Sequence, residues 1–194
     1  EPEKGIDALE AANGILTDLY ALRRTYATTR STVPGIGAPT LVVGLIKAGT
    51  NTNVVPDLAT FRLDRRIIPD EDPAVVEATL VRQIEAFAAK WPGVRVSVRR
   101  ILLAVPFVPI AGQERLVAAL QRHGRALTGA ELRTHGVPIY TDARLYTAVG
   151  VPAVLYGAGP RTLVEANGHR ADERLVLADL HFATEVVALA LALG

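Results

Sequence analysis

The patterning of the first hundred residues runs helix, strand, strand, helix, strand, and this order leaves a sheet one strand short. From Ile6, apolar residues recur at Leu9, Ala12, Leu16 and Leu19, the three-and-four spacing of one helix face. A loop rich in proline and glycine (Pro34, Gly35, Gly37, Pro39) leads into the run Leu41-Val42-Val43-Gly44-Leu45-Ile46, a strand by its length and β-branched content. Past Thr50-Asn51-Thr52-Asn53, a turn by composition, Ala59, Phe61 and Leu63 alternate with Thr60, Arg62 and Asp64, which predicts a second strand buried on one side. Asp72-Pro73 supplies an N-cap and first turn for a helix striped by Val76, Leu80, Ile84 and Phe87, and Trp91-Pro92-Gly93 ends it. Val94, Val96 and Val98, alternating with Arg95, Ser97 and Arg99, predict a third strand. The expectation is an α/β protein that opens with a ferredoxin-like split βαβ unit lacking its first strand, which would precede Glu1.

Beyond Pro106 the pattern changes. A helix is expected around residues 113–127, a short one near 141–149, a strand at 152–156, a long loop, and an apolar terminal helix within 175–193 that reads as buried. One strand among three helices cannot cover their apolar faces, so this half is expected to need strands from elsewhere. The chain therefore divides into residues 1–106 and residues 107–194.

Composition removes several function classes. Lys and Arg number 21 against 20 Asp and Glu, a net charge of +1, which gives no overall pull toward nucleic acid or anionic lipid. With no cysteine there are no disulfides and no thiolate metal sites, and cytoplasm is the default compartment. Asp179, His181 and Glu185 interrupt the terminal apolar stretch, so it falls short of the ~18 uninterrupted apolar residues of a membrane span. The opening residues carry neither an initiator Met nor a signal region, and the chain is expected to start partway through a longer protein.

Few residues could carry chemistry. Ser31 and Ser97 are the only serines and neither lies in a nucleophile elbow, which argues against covalent hydrolysis. The glycine pairs Gly35/Gly37 and Gly157/Gly159 do not open helices, so neither cradles a phosphate. His169 falls in a loop between the expected strand 152–156 and the last helix, where an imidazole could ligate a metal or simply be solvated. Zinc sites take at least three protein ligands, so one histidine does not make a site. His123 and His181 on helices and His135 on a loop have no partner at ligand spacing and read as surface or satisfied core residues. Arg66 could fork onto a substrate carboxylate or pair with Asp64 or Glu71. Asn53 could donate to an oxyanion or serve only the turn.

Two groups of motifs go beyond generic patterning. Gly49-Thr50-Asn51-Thr52-Asn53-Val54-Val55-Pro56-Asp57, followed by Leu63-Asp64-Arg65-Arg66, resembles the lid signature of the zinc-dependent aminoacylase, carboxypeptidase and desuccinylase family. Thr141-Asp142-Ala143-Arg144, then Gly150 to Gly157, then Gly168-His169-Arg170-Ala171-Asp172-Glu173, resembles the end of that family's catalytic domain. The resemblance implies that His169 is the last zinc ligand, that Arg66 binds substrate carboxylate and that Asn53 helps to polarise the scissile carbonyl. It implies that Gly157 and Gly159 line the substrate pocket and that Thr141 and Asp142 border it. It further implies two zinc ions (or cobalt or manganese), a small acyl-amino-acid or peptide substrate, and a homodimer formed through the lid.

The other zinc ligands, the catalytic glutamate and a lid histidine of that family have no counterpart in these residues. The expectation is therefore part of a hydrolase that does not turn over substrate by itself. The alternative is a non-catalytic dimerisation or regulatory module.

Overall fold

The computed structural model describes residues 1–159 and 162–194. Pro160, which follows the Gly157–Gly159 run in the sequence, lies outside the described residues. The chain is a mixed α/β protein that divides into two compact units, residues 1–106 with 136–138, and residues 107–135 with 139–194.

In the first unit, helix α1 (Ala8–Thr25) starts where the Asp7 carboxylate accepts from the backbone N–H groups of Leu9 and Glu10 at 2.8 and 3.0 Å. These are amides that a helix start leaves without intrahelical partners. Strands β1 (Thr40–Ala48) and β2 (Ala59–Arg66) pair antiparallel, from Thr40 opposite Arg66 to Ala48 opposite Ala59. A bulge at Gly44 breaks the register between Val43 and Leu45. Along β2 the odd-numbered residues are partly buried and the even-numbered ones exposed, the alternation expected from the sequence. Helix α2 (Pro73–Ala88) is capped by Asp72, whose carboxylate accepts from Ala74 and Val75 N–H at 2.8 and 3.1 Å.

Ile15 and Leu19 from α1, Leu41 from β1, and Ile84 and Ala88 from α2 close into the core, with Leu16, Phe61, Leu63, Leu80 and Trp91 packed around them. Leu19 and Leu41 are fully buried, each worth about 1.5–3 kcal/mol of transfer free energy. The buried face of α1 runs through Ala11, Ala12, Ile15 and Leu19, so Leu9, expected on that face, lies at its exposed margin.

The expected third strand does not form. Residues 94–98 join no ladder, Val96 and Val98 are exposed, and among the described residues the sheet has two strands. In a split βαβ unit the last strand hydrogen-bonds to the first, and no such strand is present among these residues. Arg100, just beyond, is held by Glu77 of α2, Nε to Oε1 at 2.6 Å.

The second unit contains α3 (Gln113–Thr128), α4 (Ala143–Ala148), the one-turn α5 (Leu163–Ala166), which the sequence reading missed, and α6 (Leu177–Leu193). Residues 152–156 form no ladder either, again for want of a partner strand. Helix α6 is not buried all round as expected: it packs on α3 and buries Ala183 and Val186, while Leu177, Leu191 and Leu193 are exposed. No helix among the described residues is long and apolar enough to cross a membrane.

Candidate functional site

Asn53 and Arg66 belong to one hairpin but to its opposite ends. Asn53 is exposed in the β1–β2 connection, whereas Arg66 is the last residue of β2. The seven steps of β2 alone separate these ends by about 23 Å. Within one unit the structure therefore does not bring the two side chains together.

Arg66 points to the exposed face, where its Nε lies 2.8 Å from Asp64 Oδ1 with both side chains more than half exposed. An ion pair of that kind contributes about 0–1 kcal/mol, so Asp64 does not lock the guanidinium away from a competing carboxylate.

Glu71, the other partner considered for Arg66, belongs instead to Arg65. Arg65 Nη2 lies 2.5 Å from Glu71 Oε1, Nη1 lies 3.2 Å from Oε2, and the guanidinium stacks 4.3 Å over the Tyr26 ring. Its side chain is only 8% exposed. Burial disfavours the charged guanidinium, but Glu71 and Tyr26 outweigh that and hold its pKa above the usual value. The signal for this pair was in the alternation: Ala59, Phe61 and Leu63 put Arg65, not Arg66, on the inward face. Beside it lies an open recess of about 220 Å³ lined by Tyr26, Arg65, Glu71, Val75, Val76, Thr79 and Gln83.

In the second unit, Thr141 precedes α4 and its Oγ1 accepts from Ala143 N–H at 3.2 Å, while Asp142 is exposed and makes no side-chain cap. Arg144 donates to the Tyr140 hydroxyl at 2.5 Å and stacks over that ring. Gly157 is exposed with open space where a Cβ would stand, and Gly159 has φ +135°, a conformation that suits glycine. Tyr156, just before them, is partly buried, and burial raises its phenol pKa above the ordinary value. Among the described residues no hydrogen bond joins Thr141, Gly157, Gly159 and His169 to one another.

His169 sits on a turn of unusual backbone. It and Asn167 have φ of 63° and 56°, the two positive-φ residues other than glycine among the described residues. The His169 N–H donates to Glu173 Oε2 at 3.0 Å, Arg170 Nη1 donates to Asn167 Oδ1 at 3.0 Å, and Asn167 Nδ2 donates to Asp172. The residue is exposed, and among the described residues its imidazole makes no hydrogen bond. Glu173 was not singled out from the sequence, since nothing in composition or spacing marks a side chain that binds a loop amide.

Of the other histidines, His135 and His181 are exposed as expected. His123 is a core residue, yet its buried Nε2 has no partner among the described residues, so it is not the satisfied one the sequence suggested. Among the described residues no cluster of three or more His, Asp or Glu side chains could hold a metal ion.

Residues 1–92 match the family model of the peptidase dimerisation domain. Over 180 residues, 92% of the chain, it is 28% identical to an acetylornithine deacetylase of Proteus mirabilis, of which it covers 43%. Over 174 residues, 89% of the chain, it is 27% identical to the acetylornithine deacetylase of Erwinia tasmaniensis, of which it covers 42%. The chain thus spans less than half the length of the curated relatives it matches. Among solved structures it resembles a dinuclear metal binding peptidase of the M20 family from Bacillus subtilis, with TM-score 0.63, 18% identity, and coverage of 95% of this chain and 45% of that one. Aminopeptidase PepT from Bacillus cereus gives TM-score 0.62 and 21% identity over 97% of this chain and 46% of that one. Likeness at these identities concerns the fold. Residues 1–92 thus resemble the peptidase dimerisation domain, in a chain that is similar over most of its length to acetylornithine deacetylases and shares the fold of M20 family metallopeptidases.

Proposed function

We propose that this chain supplies the lid (residues 1–106) and the C-terminal catalytic segment (residues 107–194) of a cytoplasmic, metal-dependent amidohydrolase. The enzyme removes an acyl group from a small carboxylate-bearing amide or acts as an exopeptidase. An N-acyl amino acid is the favoured substrate class, because the curated relatives are named acetylornithine deacetylases.

The observation that carries this reading is His169, an exposed imidazole without a hydrogen-bond partner among the described residues, on a turn held in a strained backbone conformation. Strain of that kind concentrates at functional sites. His169 fits as one metal donor. Zinc needs at least three, so the remaining donors belong to other parts of the enzyme. A bound pair of zinc ions supplies Lewis acidity toward the scissile carbonyl and lowers the pKa of the attacking water.

The other roles rest on this chain's own groups. Arg66, loosely paired with Asp64, clamps the substrate carboxylate. Asn53 offers its amide to the developing oxyanion. Gly157, Gly159 and Thr141 shape the pocket wall, the glycines letting substrate approach the backbone closely. The lid forms a homodimer: Val42, Leu45 and Ile46 of β1 are 52%, 61% and 51% exposed on a strand whose outer edge is unpaired.

The test uses the full gene product that contains these 194 residues, loaded with zinc and assayed on N-acetylated amino acids. His169→Ala is expected to lose one metal equivalent and turnover, whereas Arg66→Ala is expected chiefly to raise KM. Full activity of His169→Ala overturns the reading.

A further inference from the structure

We infer that Glu173 is the positioning residue of His169. Its carboxylate holds the histidine's backbone in the left-handed conformation that presents the imidazole to a metal. The inference rests on the reading of His169 as a metal ligand and goes beyond it, because that reading gives Glu173 no role.

The turn from Ala166 to Arg174 is closed by backbone hydrogen bonds, Arg174 N–H to Ala166 O at 3.0 Å, Arg170 N–H to Asn167 O at 3.2 Å and Glu173 N–H to Arg170 O at 3.2 Å. Within it, Asn167 and His169 both take positive φ. Asparagine tolerates that region through its short polar side chain, and here the side chain is held on both sides, by Arg170 and by Asp172. His169 has no such side-chain support, since its imidazole makes no hydrogen bond among the described residues. The hydrogen bond that acts on His169 itself runs from its N–H to Glu173 Oε2, at 3.0 Å.

In the common arrangement of metal-binding histidines, a carboxylate or carbonyl orients the ring through its second nitrogen. Here neither ring nitrogen has a hydrogen-bond partner among the described residues and the carboxylate grips the amide instead. Orientation therefore reaches the ring through φ of His169. A charge-assisted bond to an ionised carboxylate is among the stronger ways to fix a loop amide. Without it, His169 has every reason to relax to negative φ, which swings the Cα–Cβ bond and with it the imidazole away from its direction.

The experiment measures zinc affinity of the full gene product by chelator competition, together with amide hydrogen exchange at residues 166–174. Glu173→Ala is expected to weaken one of the two zinc ions by about ten- to a hundredfold, the range seen when groups supporting a ligand are removed. It should leave the other ion unchanged and speed exchange at His169. Glu173→Gln keeps an oxygen acceptor and is expected to restore both readouts toward wild type. Should Glu173→Ala fail to fold, Glu173→Asp, which draws the acceptor back by one methylene, is expected to show the same selective weakening.

Wild-type zinc affinity in both Glu173→Ala and Glu173→Asp, alongside loss of one ion in His169→Ala, overturns the positioning role while leaving His169 a ligand. Equal weakening of both ions overturns it too, since that marks a general structural role. Retention of both ions by His169→Ala overturns the ligand reading itself.

Discussion

The first unit closes Leu19 and Leu41 completely beneath two helices and a hairpin, whereas the second, with four helices and no strand among its described residues, buries Ala183 and Val186 as its apolar core. Both are rich in apolar residues, so the contrast is not one of composition. It comes from where the covering surface lies. Each helix of the first unit has an apolar stripe and a sheet within the same hundred residues to lay it on. Helix α6 is apolar on nearly every side, a pattern suited to a helix enclosed all round. Its main packing partner is α3, and Leu191 is left 84% exposed.

The largest expected effect tests this contrast directly. Leu19→Ala should cost about 2–5 kcal/mol through lost transfer energy and a cavity, whereas Leu191→Ala should stay within about 0.5 kcal/mol. Urea unfolding checks both, followed by far-UV circular dichroism for the whole chain and by the fluorescence of Trp91, the sole tryptophan, for the first unit, on whose core it packs. Comparable losses would break the comparison.

A somewhat smaller effect probes how tightly the first unit is filled. A Cβ on Gly14 of α1 would stand 2.1 Å from Trp91 Cζ2, so Gly14→Ala must push the indole aside. The cost expected of such overpacking is about 1–3 kcal/mol, although alanine is the better helix former, and the same fluorescence-detected unfolding reads it. A neutral or stabilising result would mean that the core has slack.

The smallest effect depends on pH. Asp70 accepts from the Ser31 hydroxyl, the Thr32 hydroxyl and, at 2.9 Å, the Thr32 N–H, and these bonds lower its pKa to about 2. A depressed carboxylate contributes stability that is complete above its unfolded pKa of about 3.9 and is lost as pH falls toward its folded value. Asp70→Asn should therefore lower the urea midpoint at pH 7, where the carboxylate's contribution is complete, and flatten its decline between roughly pH 4 and pH 2, the two proteins converging at the acid end. An unchanged slope would show that the loop around Ser31 does not depend on this carboxylate.

What was legible in the sequence was whatever is decided locally or between neighbours in the chain. The Asp72 cap, the α2 stripe and the inward face of β2 follow from short-range rules, and each stands where the pattern put it. Residues 94–98 and 152–156 carry strand-like sequence but have no ladder, because a strand exists only with its partner and no residue pattern contains the partner's address. The site divides the same way. Resemblance picked out His169, Arg66 and Asn53, and alternation could have separated Arg65 from Arg66. The grip of Glu173 on the His169 amide depends on a turn closed in three dimensions, which no spacing rule encodes.

The bulge at Gly44 has a consequence for how this hairpin tolerates changes in length. Val43 pairs with Leu63 and Leu45 with Arg62, so Gly44 is left over and the inward parity of β1 changes across it, from odd residues (Leu41, Val43) to even ones (Ile46, Ala48). Ile46, 51% exposed, stands opposite Phe61, the place Leu45 would take if the ladder ran on without the extra residue. The surplus position thus shifts the parity of β1 by one while taking no cross-strand partner itself. Deleting it leaves every cross-strand pair intact, whereas deleting a neighbour such as Leu45 without losing the bulge turns the rest of β1 inside out. A one-residue deletion in β1 is therefore expected to disturb the ladder least at Gly44, where a Cβ would also meet open space.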